Sequence, residues 1–136
     1  MRAVLDTNVV VSGIFFGGVP RAVLEAWAEG GFELCLSPLI FDEYSRICDR
    51  LAQSYPGIEY RGLLATLVGH GTLVSDPTLT QAITADPDDD KFMLCAEQTG
   101  AVVVSGDTDL LDANGWQGVA VLRPRDLLAL LPDESS

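Results

Sequence analysis

With 136 residues, 48% of them hydrophobic, the chain has enough apolar material for one domain with one core and too much for a disordered protein. Its formal charge of −12, from 8 Lys and Arg against 20 Asp and Glu, excludes a general basic footprint for nucleic acid, although Arg21, Arg46, Arg50, Arg61, Arg123 and Arg125 can form a local one. No apolar run reaches the roughly 20 residues of a membrane span and no basic start precedes a long apolar stretch, so the chain is expected to be soluble and cytoplasmic.

The first stretch, Arg2-Ala3-Val4-Leu5-Asp6-Thr7-Asn8-Val9, sets the frame. Ala3 to Leu5 suit a short interior strand, and a charge suits such a strand only at its tip, which is where Asp6 falls. Val9 to Phe16 is apolar around Ser12 and Gly13, a short helix or a buried turn, and Gly17-Gly18 breaks it. Pro20 then fits the first turn of a helix reaching Glu29, with Ala22, Val23, Ala26 and Trp27 on its inner face. Phe32 to Leu36 alternates as a second strand. Ser37-Pro38 supplies a cap and a first helical residue for a helix to Ser54, stopped by Pro56-Gly57.

A further helix is predicted from Ile58 to Val68 and a brief strand from Thr72 to Val74, while Ser75 to Ala85 has no clear pattern. Asp86-Pro87 opens a helix running to Thr99. Ala101 to Val104 is the clearest interior strand, Leu110 to Ala113 a short helix, and Val119 to Leu122 the last strand. Arg123-Pro124 opens a final helix through Leu131. Strands alternating with helices predict an α/β fold, a three-layer α/β/α sandwich around a mainly parallel sheet. It forms one domain over 1–131, followed by a flexible acidic tail at 132–136.

Four places put a carboxylate where solubility does not explain it. In open parallel sheets, ligands gather beyond the carboxyl ends of the strands. Asp6 stands at such an end, and Asp107 and Asp109 follow the Val102-Val103-Val104 strand in the same way. Glu43 shares a helical stripe with Ile40, Tyr44, Ile47 and Leu51, where a carboxylate is costly unless paired or coordinated. Asp86-Pro87-Asp88-Asp89-Asp90 holds more acids than a helix start needs; Asp86 serves as the cap, and helical spacing leaves open whether Asp89 or Asp90 turns inward, since both align with Met93. The bland readings are caps for Asp6 and Asp107 and a water-facing stripe edge for Glu43. Against them stands the delivery of acids from four elements to one edge of one sheet. Crowded carboxylates of this kind suit hard divalent cations with oxygen ligands.

Other chemistries find little support. Cys35, Cys48 and Cys95 are odd in number and far apart, which suits small buried hydrophobes rather than a zinc site or disulfides. His70, the single histidine, lies in a Gly-His-Gly turn, and there is no Gly-Lys-Ser/Thr phosphate loop.

Leu5-Asp6-Thr7-Asn8-Val9, Glu43, Asp86-Pro87-Asp88-Asp89-Asp90-Lys91-Phe92 and Val104-Ser105-Gly106-Asp107-Thr108-Asp109-Leu110-Leu111, in this order, resemble the PIN-domain nucleases, and most of all the VapC-type toxins of bacterial and archaeal toxin–antitoxin pairs. The resemblance implies an endoribonuclease dependent on Mg2+ or Mn2+, cleaving RNA phosphodiesters by attack of water. It implies catalytic metal ligands at Asp6, Glu43, Asp90 and Asp107, with Asp90 chosen over Asp89 as the residue preceding Lys91-Phe92-Met93. Asp109 matches an accessory metal-binding acid, and Asn8 and Ser105 match polar residues that orient water or the ligand carboxylates. An antitoxin protein and a homodimer are further implications. Two other readings stand beside it: a non-catalytic PIN-like binding domain, and an aspartate-nucleophile phosphatase, for which Asn8 occupies a place that an acid usually holds.

Overall fold

The computed structural model describes residues 1–78 and 82–132. Five parallel strands form one sheet in the order β3-β2-β1-β4-β5: β1 Arg2–Leu5, β2 Glu33–Leu36, β3 Thr72–Leu73, β4 Val102–Val104 and β5 Val121–Leu122. Among the described residues seven α-helices connect and cover them: α1 Thr7–Phe15, α2 Gly18–Ala28, α3 Pro38–Ala52, α4 Arg61–His70, α5 Asp90–Thr99, α6 Thr108–Asp112 and α7 Pro124–Leu130. This is the predicted α/β sandwich. The residues 79–81 of the unassigned stretch, and 133–136 of the acidic tail, lie outside the described residues.

The central strands have no polar face. Ala3, Val4, Leu5, Leu34, Cys35, Leu36, Val103 and Val104 are all fully buried, as a parallel sheet with both faces covered requires. Helix α5 packs across β1, β2 and β4, while α1 packs on α2 and α3, and α2 on α7. On α3, Ile40, Tyr44 and Cys48 recur at helical spacing and are fully buried. Burial of a large apolar side chain of this kind is worth roughly 1.5–3 kcal/mol. The Tyr44 hydroxyl donates to the Leu5 carbonyl at 2.5 Å, which ties α3 to the tip of β1.

Several predicted ends move for local reasons. The apolar run after β1 is a helix, and it starts at Thr7, directly behind Asp6. Helix α4 starts at Arg61 rather than at Ile58, because the Glu59 carboxylate accepts from the Gly62 amide at 2.9 Å and fixes the first turn there. Asp86 caps as predicted, accepting from the Asp88 amide at 3.0 Å, but Pro87–Asp89 form a 3-10 turn and the α-helix begins only at Asp90. β5 is shorter than the predicted strand, because the Val119 carbonyl accepts from Gly115 and the Asn114 side chain accepts from the Val121 amide, in a turn that includes Trp116–Gly118. The three cysteines are free and buried, and burial pushes the Cys48 thiol up to about 11 and that of Cys95 up to about 12, as inert core residues. No single helix among the described residues is long and apolar enough to cross a membrane.

Candidate active site

The chain runs from β1 to β2 on one side and later to β4 on the other, so the strand order changes direction between β1 and β4. The crevice beyond such a pair of carboxyl ends is where an open parallel sheet accepts a ligand. Asp6 and Ser105 are the residues that follow the two strands. The Asp6 amide donates to the Val104 carbonyl at 2.9 Å, extending the ladder by one bond. Ser105, fully buried, donates from Oγ to Asp6 Oδ2 at 2.7 Å and accepts from the Asp107 amide at 2.9 Å. One hydroxyl thus fixes one carboxylate and the backbone that carries another.

Asp6 is 4% exposed. Burial raises its pKa above the ordinary carboxylate value; the Ser105 hydroxyl opposes that, and the charges of Asp107 and Glu43 add to it. Asp6 and Asp107 both occupy the cap position of a following helix, yet neither carboxylate makes a side-chain cap hydrogen bond. Helix capping therefore does not account for them.

The Asp88-Asp89-Asp90 run separates by environment. Asp90 is 3% exposed, and its carboxylate accepts from the amides of Ile83 and Thr84 at 3.4 and 2.8 Å. It binds the preceding loop to α5. Asp89 is the residue that joins the other acids. Its carboxyl is pushed up to about 7, first by burial, then by a hydrogen-bonded contact with Asp107, then by the charges of Asp6, Asp107 and Asp86. Sequence reasoning expected Asp90 among the site acids; in the fold the carboxyl in contact with Asp107 is that of Asp89, while Asp90 holds the loop at Ile83 and Thr84. Placing both in one continuous α-helix hid the difference, because the 3-10 turn that ends at Asp89 changes the rotation per residue.

Glu43 lies on the edge of the buried stripe of α3, its side chain 18% exposed. Both its oxygens are held. The Thr7 hydroxyl donates to Oε2, and the Lys91 ammonium pairs with Oε1 at 3.0 Å. Lys91, 13% exposed, also donates to the Asp88 carbonyl. In the sequence Thr7 and Lys91 stand only as parts of the two motifs, and their pairing with Glu43 appears only in the fold.

Asp109 enters from the first turn of α6. One carboxylate oxygen from each of Asp86, Asp89 and Asp109 lies within 4.8 Å of the others, a spacing at which one cation can be shared. The donors are all carboxylate oxygens, which fits a hard divalent ion better than zinc. Asn8 is exposed on α1, and among the described residues no hydrogen bond joins it to the acids. His70 is remote: it lines a cavity with Trp27 and with Glu33, the first residue of β2, at the other end of that strand.

The sequence matches the family model of the PIN domain over residues 2–109, a span that takes in every acid of the cluster. It is also 29% identical, over 114 residues, to the uncharacterized protein MJ1680 of Methanocaldococcus jannaschii, an alignment covering 82% of this chain and 74% of that protein.

Proposed function

The chain belongs to the PIN-domain family, whose members are generally nucleases, and from that premise we propose that it is an endoribonuclease dependent on Mg2+ or Mn2+ and the toxin of a toxin–antitoxin pair. The observation that carries the reading is the convergence of carboxylates from separate segments: Asp86, Asp89 and Asp109 each bring an oxygen within 4.8 Å of the others, and Ser105 holds both the Asp6 carboxylate and the Asp107 amide. Burial and this crowding push the Asp89 carboxyl up to about 7. Among the described residues the protein's own cations do little to relieve this: the nearby Lys91 is paired with Glu43. A fold that holds unlike-charge partners away from such a cluster leaves room for a cation from outside.

Asp6, Asp89 and Asp107 would hold the ion, with Asp86 and Asp109, whose carboxylate oxygens lie within 4.8 Å of that of Asp89, adding to the donor set and Glu43 acting on Asp6. A divalent ion bound there lowers the pKa of water and offsets charge on a phosphodiester. The chain's own residues keep the ligands in place. Ser105 orients Asp6, and Thr7 and Lys91 orient Glu43. Both hydroxyls are committed as donors to carboxylates, and in this reading the nucleophile is water. The VapC-type resemblance supports a cytoplasmic setting, an antitoxin that covers the site and a homodimer.

The test is cleavage of single-stranded RNA by the purified chain, stripped of any partner, with Mg2+ or Mn2+. Chelation should abolish cleavage, and Asp6→Asn or Asp89→Asn should lower it at least about 100-fold. Equal cleavage by these variants contradicts the assignment, and a wild-type chain inactive on varied RNAs favours a non-catalytic binding domain. Growth arrest on expression, relieved by the product of the neighbouring gene, tests the toxin role.

A further inference from the structure

Beyond β4 and β5 lies an open cavity of about 440 Å3, lined by Val19, Gly106, Arg123, Pro124, Arg125 and Asp126. Gly106 joins it directly to the acidic cluster. On one side of Gly106 stands Ser105, bonded to Asp6, and on the other Asp107. Both arginines are exposed, and the space beside the Gly106 Cα is open. Among the described residues ion pairs involve Arg2 and Lys91, and neither Arg123 nor Arg125. Two guanidinium groups against one carboxylate make this wall positive on a molecule of charge −12.

The cavity on the far side of Lys91 has the opposite balance. There, in about 380 Å3, Arg46 and Lys91 face Asp42, Asp76, Asp88 and Asp90. A phosphate would be repelled from it.

We propose that Arg123 and Arg125 seat a backbone phosphate of single-stranded RNA, adjacent to the phosphodiester positioned at the carboxylates. The inference rests on the nuclease reading and names the means by which so acidic a protein holds its substrate. The guanidinium fork suits phosphate oxygens, and a local positive wall beside a negative site sets the side from which the strand enters. Because the seat reads phosphate and not bases, it confers affinity without sequence preference.

The experiment compares the full wild-type chain with the double variant Arg123→Gln/Arg125→Gln. It reads kcat and KM on a labelled single-stranded RNA with Mg2+ across a salt series, direct binding of that RNA by fluorescence anisotropy, and Mn2+ binding by calorimetry. The expected result is a KM raised about 10-fold at low salt, and a salt slope reduced by about 0.7 for each lost phosphate contact. The kcat and the Mn2+ affinity should stay within about twofold, and Arg46→Gln should leave every reading unchanged. Unchanged KM and slope in an active double variant overturn the seat and leave the nuclease reading standing. Loss of Mn2+ binding in the double variant also overturns it, since the arginines would then be supporting the carboxylates. RNA binding that depends on the arginines, without any cleavage, keeps the seat and removes the nuclease reading. A wild-type chain that neither binds nor cleaves RNA overturns both.

Discussion

Asp89 holds its proton up to about 7 because burial, Asp107, Asp6 and Asp86 all act against its charge. Folding raises this pKa from the ordinary 3.8, so the folded state binds the proton more tightly than the unfolded chain does. Stability from this source is fully present below the ordinary value and is lost as pH rises through about 7. The melting temperature of the metal-free protein should therefore fall between about pH 4 and about pH 7, and Asp89→Asn should flatten that fall and raise the melting temperature at the upper end. A thermal-shift series in chelator checks it; an unchanged slope in the variant speaks against crowding at Asp89. Asp90 has a structural part instead, as the acceptor for two loop amides. Asp90→Ala orphans the amides of Ile83 and Thr84, and should cost about 1–3 kcal/mol in urea denaturation. The two aspartates were not separable by sequence, because their difference lies in a change of helix type rather than in the residues. Asp6, Glu43 and Asp107 were legible as acids at strand tips or on an apolar stripe, each a place where water does not explain a charge.

At the scale of elements, two close contacts hold the frame of the site: α3, which carries Glu43, on the tip of β1, and α1 on α2. The Tyr44 hydroxyl ties α3 to the Leu5 carbonyl, one residue before Asp6. Tyr44→Phe removes that bond and leaves a buried carbonyl without its donor; it should cost about 1–3 kcal/mol and weaken metal affinity by loosening Glu43, read by denaturation and by Mn2+ titration. Gly13 is where α1 and α2 approach. A Cβ there would lie 2.6 Å from Leu24 Cδ1 and 3.0 Å from the Pro20 carbonyl oxygen. Gly13→Ala should accordingly destabilise by about 1–3 kcal/mol despite its better helix propensity, and a neutral denaturation midpoint would show that the two helices can part without cost. The elements themselves were largely legible, since buried parallel strands are short apolar runs and the helices open on Pro38, Pro87 and Pro124 or close on Gly100. Their ends depended on side-chain hydrogen bonds at Glu59 and Asn114, which apolar periodicity does not register.

Across the whole molecule, the sheet order places the tips of β1 and β4 side by side, so that residues 99 positions apart, Asp6 and Ser105, share one hydrogen bond. The sandwich was readable from alternation of strand and helix. The convergence of the acids was an inference from topology; Arg123 and Arg125 were legible only as two of six arginines able to form a local basic patch, because they meet Gly106 only in the folded chain. The central claim is that this charge distribution exists to hold a divalent ion at the switch in strand order. A crystal soaked in Mn2+, with anomalous difference density measured at the manganese edge, tests it most directly. The expected result is a peak within coordination distance of Asp6, Asp89 and Asp107 and away from Asp90. Density absent from that cluster at saturating Mn2+, or centred on Asp90, would contradict it.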